Sequence, residues 1–158
     1  MLSIDLFDEV ATEQCGARMA RALSEVNPSS LFMTLSGELG AGKTTWVRAL
    51  LRALGVTDPV RSPTYSLLES YPMQTRTLDH MDWYRLQSEA DLEGLGFREL
   101  LTAGHWLMVE WPERIPSVAQ QADVALQLTY QGGGRRVSLS ARTETGLAVL
   151  AQLNTSKT

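Results

Sequence analysis

Eight residues, Gly37-Glu38-Leu39-Gly40-Ala41-Gly42-Lys43-Thr44, have the spacing of a phosphate-binding loop: a glycine, four free positions, then Gly-Lys-Thr. Glycines let the backbone curl so that successive N–H groups converge on phosphate oxygens. A helix starting at the loop adds unpaired N–H groups and the positive end of its dipole. Lys43 is placed to reach β- and γ-phosphates, and the Thr44 hydroxyl to join the shell of a bound Mg²⁺. The plainer alternative is a Gly-rich turn before an ordinary helix. That alternative leaves a lysine without a role at the helix end where positive charge is least favourable. Before any nucleotide binds, Lys43 is expected to face solvent.

Such a loop also calls for an acid that holds or orients Mg²⁺, at the C-terminal end of a neighbouring strand. Glu110 ends the apolar run Trp106-Leu107-Met108-Val109 and is the favoured metal-side acid. Asp82, inside His80-Met81-Asp82-Trp83-Tyr84-Arg85, is assigned a metal-bound or attacking water. Either carboxylate could instead serve only as a cap for the turn after it. His80 alternates with Asp82 along one strand face, so it approaches the phosphates, orients an acid, or is a hydrogen-bonded core residue. Thr64 follows the first loop helix, where some nucleotide hydrolases sense the γ-phosphate, although a Pro-Thr strand entry explains it equally well. His105 reads as ordinary.

These groups need elements to hold them. Leu31 to Leu35 reads as a buried strand before the loop, and residues 44–54 as an amphipathic helix after it, ended by Gly55. Upstream, residues 2–7 form a short strand, and Asp8 caps a helix reaching about Leu23. Cys15 lies on the apolar face of that helix with Ala11, Met19 and Leu23. Downstream, strands at 65–71 and 76–81 make a hairpin, short helices follow at 88–93 and 97–103, and 106–109 is a fully covered strand. Pro112 starts a short helix. Strands at 123–130 and 135–141 flank the Gly132-Gly133-Gly134 turn, and a helix from Thr143-Glu144 to Leu153 closes the chain. The result is an α/β fold with a mixed parallel and antiparallel central sheet flanked by helices. It forms one domain over 1–153 with a polar tail at 154–158.

The 158 residues suffice for one core without disulfides, and the single cysteine cannot form an internal bridge. Fourteen basic against eighteen acidic side chains, a net charge of −4, argue against the chain gripping nucleic acid by itself. No basic n-region with an apolar h-region opens the sequence, and no apolar run is long enough to span a bilayer. The expectation is a cytoplasmic protein without a membrane partner. No Asn-Lys-x-Asp segment of the GTP-specific switch proteins is present, which favours ATP.

Taken together, the loop with Thr45, Ser62-Pro63-Thr64-Tyr65, His80 to Arg85, Gly94 to Glu99 and Glu110-Trp111-Pro112-Glu113 resemble one family. It is the small bacterial P-loop ATPase family of tRNA threonylcarbamoyladenosine biosynthesis. The resemblance implies an ATPase, weak alone, that acts on a complex of two kinase-like-fold subunits and touches tRNA only indirectly. That complex modifies adenosine 37 of tRNAs reading codons that begin with A. By the same resemblance, ATP contacts extend over Thr12 and Gly37, Glu38, Leu39, Gly40, Ala41, Gly42, Lys43, Thr44 and Thr45. Thr44 and Glu110 match the Mg²⁺ ligands, and Lys43, Asp82 and Glu110 the catalytic set. Thr64, His80, Tyr84, Arg85 and Trp111 are candidates for switch or partner contacts. Trp83 departs from the family's usual aliphatic residue, and Tyr65 from its phenylalanine. Of Tyr65, Tyr71, Trp83, Tyr84 and Trp111, at least two are expected in the core. Other readings of the residues are a small-molecule kinase on the same loop and a nucleotide-gated binding module without hydrolysis.

Overall fold

The computed structural model describes residues 1–156. The chain runs β1 (Leu2–Leu6), α1 (Glu9–Val26), β2 (Leu31–Gly37), α2 (Lys43–Ala53), β3 (Leu68–Pro72), β4 (Thr77–Asp82), α3 (Glu89–Gly94), β5 (His105–Glu110), α4 (Pro116–Ala119), β6 (Val124–Gln131), β7 (Gly134–Ala141) and α5 (Glu144–Thr155). Single 3-10 turns cover Glu99–Leu101 and Pro112–Arg114. Seven strands form one sheet in the order β1-β7-β6-β2-β5-β4-β3. The central strands β6, β2, β5 and β4 are parallel, while β1/β7, β6/β7 and β3/β4 pair antiparallel. This is the mixed α/β sheet expected from the sequence.

Strands β2 and β5 at the centre are buried on both faces, so they read as continuous apolar runs. Along β2, Leu31, Met33 and Leu35 pack with α1, α2 and α5 in one core. Phe32 points the other way, into a second core with Met81, Trp83, Phe97 and Val109. Trp83 is fully buried there against Phe32 and Phe97, which is why an aromatic is accommodated beside the acid at 82.

Helix α1 starts at Asp8, whose carboxylate accepts the Ala11 N–H at 2.8 Å, and it ends at left-handed Asn27. It therefore runs one turn past the expected Leu23. Cys15, Met19 and Leu23 do face the core, while Ala11 is only partly covered. Burial pushes the Cys15 thiol above its usual range, and its sulfur accepts the Trp46 indole N–H across the α1–α2 contact.

Other boundaries shift for local reasons. The expected 65–71 strand begins only at Leu68, because residues 63–67 close a turn in which the Leu67 N–H donates to the Pro63 carbonyl. The hairpin partner runs Thr77–Asp82, so Asp82 is the last residue of its strand. The expected 97–103 helix is only a 3-10 turn, and α4 was not anticipated. Helix α5 continues to Thr155, so part of the expected 154–158 tail is helical, and residues 157 and 158 lie outside the described residues. Among the described residues no helix is long and apolar enough to cross a membrane.

Helices α1 and α2 meet at Gly16, where an added Cβ would lie 2.5 Å from the Trp46 carbonyl oxygen. Helix propensity favours alanine over glycine by about 1 kcal/mol, but overpacking of a rigid backbone contact costs about 1–3 kcal/mol. Gly16→Ala is therefore expected to destabilise the protein. Urea denaturation checks this as a lower midpoint with unchanged slope, and a raised midpoint would contradict the tight crossing.

Candidate functional site

The parallel register places the site. Leu35 of β2 sits beside Glu110 of β5, and Glu110 beside Asp82 of β4, so both acids emerge at the C-terminal edge of the sheet next to the loop that leaves β2. That edge is where ligands bind in open α/β sheets. Gly42 caps α2 with φ of 108°, a conformation that side-chain-bearing residues rarely adopt, and Lys43 opens the helix.

Glu110 is the junction of the site. Its Oε1 accepts the Thr44 hydroxyl at 2.9 Å and lies 2.9 Å from His80 Nε2. Burial pushes the Glu110 carboxyl up, but the His80 contact, the Thr44 bond and the Lys43 charge together bring it below the usual glutamate range. An ionised Glu110 requires His80 to be the donor. His80 is fully buried, and its Nδ1 has no partner among the described residues. Of the three readings of His80, the geometry fits two at once: it is a hydrogen-bonded core residue, and its bond goes to the acid Glu110.

Asp82 behaves differently. Burial raises its carboxyl above the usual aspartate range, the like charge of Glu110 adds to this, and the Tyr84 N–H bond to Oδ1 at 2.8 Å opposes it. Two adjacent carboxylates are thus pushed apart in acidity by their surroundings, the arrangement from which acid and base roles arise.

Lys43 is not solvent-facing, contrary to the expectation. Only 5% exposed, it donates through Nζ to the carbonyls of Gly37 at 2.6 Å and Glu38 at 3.0 Å. The ammonium also lies 4.4 Å from the centre of the Trp111 ring. These contacts compensate a positive charge at a helix N-terminus. Burial lowers the Lys43 pKa, with Glu110, Glu113 and Asp82 opposing the shift.

A cleft of about 240 Å³ is lined by Leu39, Lys43, Thr44, Ser62, Thr64, Asp82, Glu110 and Trp111, among others. Thr64 is thus brought to the acids, with its hydroxyl 2.7 Å from that of Ser62. A second hollow of about 440 Å³ on the other side of the loop is bounded by Phe7, Thr12, Gly40, Ala41, Gly42, Thr45 and Arg135. Thr12 is buried, and its hydroxyl donates to the Asp8 carbonyl. Glu38 and Leu39 form the exposed tip of the loop. Tyr84 and Trp111 stack edge to face at 5.0 Å on the rim, and Arg85 lies over Tyr65. His105 is held elsewhere, Nδ1 2.7 Å from Asp79, at the opposite end of β5.

The donor set suits a hard divalent cation. Glu110 Oε2 makes no hydrogen bond among the described residues and is not sealed from solvent, which leaves it, with the Thr44 hydroxyl oxygen, to face the cleft. Among the described residues no cluster of three or more His, Cys, Asp or Glu side chains gathers to hold a metal. Two oxygen ligands completed by phosphate and water is the manner in which Mg²⁺ is commonly held.

Sequence reasoning missed the clamp on the loop. Tyr130 donates its hydroxyl to the Leu39 carbonyl at 3.2 Å, and Arg135 donates Nε to the Ala41 carbonyl at 3.2 Å. Arg135 also stacks on Tyr130 at 4.1 Å. These bonds tie the Leu39 and Ala41 carbonyls of the loop to the β6–β7 hairpin. No sequence signal announces a contact across some ninety residues of separation.

His80→Leu keeps a similar volume but strands the buried Glu110 carboxylate, so a loss of roughly 3 kcal/mol is expected in metal-free protein. Because the folded Glu110 pKa is depressed, its stabilisation is present above the unfolded value and is lost as pH falls through the folded one. The deficit of the variant should therefore be largest near neutral pH and shrink progressively on acidification, as the Glu110 carboxyl takes up its proton first in the variant and then in the unaltered protein. Denaturation across that range checks this, and a pH-independent deficit would contradict the assignment.

The family model described as "Threonylcarbamoyl adenosine biosynthesis protein TsaE" matches residues 6–137. The tRNA threonylcarbamoyladenosine biosynthesis protein TsaE of Haemophilus influenzae is 32% identical over 145 residues, covering 91% of this chain and 92% of that protein. The protein of the same name from Bacillus subtilis is 35% identical over 104 residues, covering 66% and 65%. In fold, the crystal structure of Bacillus subtilis YdiB superposes with a TM-score of 0.77 at 22% identity, covering 99% of this chain and 96% of that one. The phosphate loop, the paired acids and these matches lead to one conclusion: the chain belongs to the TsaE family of P-loop NTPases.

Proposed function

We propose that this chain is the Mg²⁺-dependent ATPase component of the machinery that forms threonylcarbamoyladenosine at position 37 of tRNAs reading codons beginning with A. In this reading it acts on a complex of two kinase-like-fold subunits and meets tRNA only through them. The relatives' names supply the pathway, and the observation that carries the chemistry is the Thr44–Glu110 bond joining the phosphate loop to a buried acid. Weak hydrolysis by the isolated chain accords with a cleft open to water, in which the attacking water is poorly positioned.

In this assignment Gly37 to Thr45 cradle the phosphates, and Thr12 borders the hollow on the nucleoside side. Thr44 and Glu110 hold the cation, which when bound neutralises charge on the transferring phosphoryl group. Lys43 would exchange its Gly37 and Glu38 carbonyls for β- and γ-phosphate oxygens, a short movement because those carbonyls belong to the loop that cradles the phosphates. Asp82, with Oδ1 held by the Tyr84 N–H and its acidity weakened by burial, orients the attacking water and accepts its proton. Thr64 reports the γ-phosphate from the segment beside the acids. A metabolite-kinase reading has only Arg85 and Arg98 in the 85–104 segment to build a basic lid, and Arg98 is paired with Glu93.

Lys43→Ala is expected to lower ATP turnover by roughly two orders of magnitude or more, measured as phosphate release. The buried setting of Lys43 makes a parallel thermal melt necessary. In calorimetry, Glu110→Ala should weaken Mg²⁺-dependent nucleotide binding, whereas Asp82→Ala should spare ADP affinity and reduce turnover. The reversed pattern would exchange the two roles. The functional reading itself is tested by reconstitution with the two kinase-like-fold subunits and a tRNA substrate. It predicts that multiple-turnover modification needs this chain and ATP, and it fails if the complex neither binds the chain nor depends on it.

A further inference from the structure

Two arginine–tyrosine pairs adjoin residues of the acid-lined cleft: Tyr65 follows Thr64 of its lining, and Tyr84 packs on Trp111 of its lining. Arg85 lies over the Tyr65 ring at 4.5 Å, and Arg114 over the Tyr84 ring at 4.7 Å. Tyr84 continues inward to Trp111, whose ring covers the Lys43 ammonium. The two tyrosines are 83% and 47% exposed, and Leu39 on the same cleft is 85% exposed. Tyr71 and Trp83, by contrast, are core residues and take no part in this surface.

The other stacked arginines have structural partners. Arg76, over Trp106, donates to the Pro28 carbonyl, and Arg135, over Tyr130, donates to the loop carbonyls. Arg85 and Arg114 have no carboxylate partner among the described residues, where the ion pairs are His80–Glu110, Arg98–Glu93, His105–Asp79 and Arg136–Asp5. In a chain of net charge −4, two guanidiniums without carboxylate partners lying over exposed tyrosines make a local exception. Stacking spends little side-chain entropy on docking, because the planar group is already ordered on the ring. Exposed tyrosines and arginines are also the residue types that dominate binding energy at protein interfaces.

We infer that Tyr65, Tyr84, Arg85 and Arg114 form the docking face for a protein partner that presents carboxylates around an apolar centre. This rests on the proposed function and specifies the chemistry of the partner's surface. Charge complementarity selects the occupant: the guanidiniums take the carboxylates, and the tyrosine faces with Leu39 take the apolar centre. RNA fits less well, because two guanidiniums on a chain of net charge −4 neutralise few phosphates, whereas they suffice for a pair of partner carboxylates. Because Tyr65 adjoins Thr64 and Tyr84 packs on Trp111, both in the cleft lining, a partner seated on this face would reach the rim of the cleft and shield Asp82 and Glu110 from water.

The test titrates fluorescently labelled chain with the reconstituted complex of the two kinase-like-fold subunits, comparing the unaltered protein with R85E/R114E. The double variant is expected to bind roughly tenfold or more weakly, with a shallower salt dependence, while its melting temperature and MgADP affinity stay unchanged. Equal binding by both proteins overturns the inference and leaves the functional reading intact. No binding by the unaltered chain sinks the functional reading and this inference with it. The inference is also overturned if tRNA transcript alone binds the unaltered chain and loses the variant, or if sedimentation shows a dimer that the variant dissociates, since the occupant would then be RNA or a second copy.

Discussion

One carboxylate oxygen ties the site to the fold. Glu110 Oε1 receives the Thr44 hydroxyl from the phosphate loop helix and faces Nε2 of the buried His80 on β4. Three elements are therefore fixed at one atom: α2 through Thr44, β5 through Glu110 itself, and β4 through His80. An ionised group so deeply buried is costly unless it is paired, and the pairing here comes from residues that also define where a phosphate and a cation can sit. Parallel pairing of β2, β5 and β4 makes this possible, because it aligns Leu35, Glu110 and Asp82 in one row at the sheet edge.

Around that row the loop is held in readiness. Lys43 rests on carbonyls of its own loop and beneath Trp111, while Tyr130 and Arg135 hold the carbonyls of Leu39 and Ala41. Trp111 is itself in a left-handed conformation, φ 59° and ψ 49°, an uncommon state for a bulky residue and one that concentrates at functional positions. The strained residue places its indole between the P-loop lysine and Tyr84. A change in the partners of Lys43 is thus felt at the rim of the cleft through two ring contacts.

Much of this was legible in the sequence because it is local. The glycine spacing, the apolar runs before and after it, and acids at strand ends are periodic or punctuated signals, and the mixed sheet follows from them. The choice among roles for His80 was not legible, since alternation gives a face but not the neighbour across the sheet. Lys43 was misread for a related reason: the loop curls back far enough for its own Gly37 and Glu38 carbonyls to bury the ammonium. The hairpin clamp of Tyr130 and Arg135 depends on β6 lying beside β2, a tertiary pairing with no local signature. Turn chemistry accounts for the shortened β3, where a left-handed Leu67 with φ of 66° delays the strand by three residues.

If Glu110 is the junction through which the phosphate loop holds its cation, Thr44 and Glu110 act as one unit rather than two contacts. A double-mutant cycle of Thr44→Val and Glu110→Gln, read by calorimetric ADP binding with and without Mg²⁺, measures this directly. The account predicts that with Mg²⁺ the double variant binds no more weakly than the worse single variant, and that without Mg²⁺ all four proteins bind alike. Additive losses, or equal losses in the absence of Mg²⁺, would contradict it.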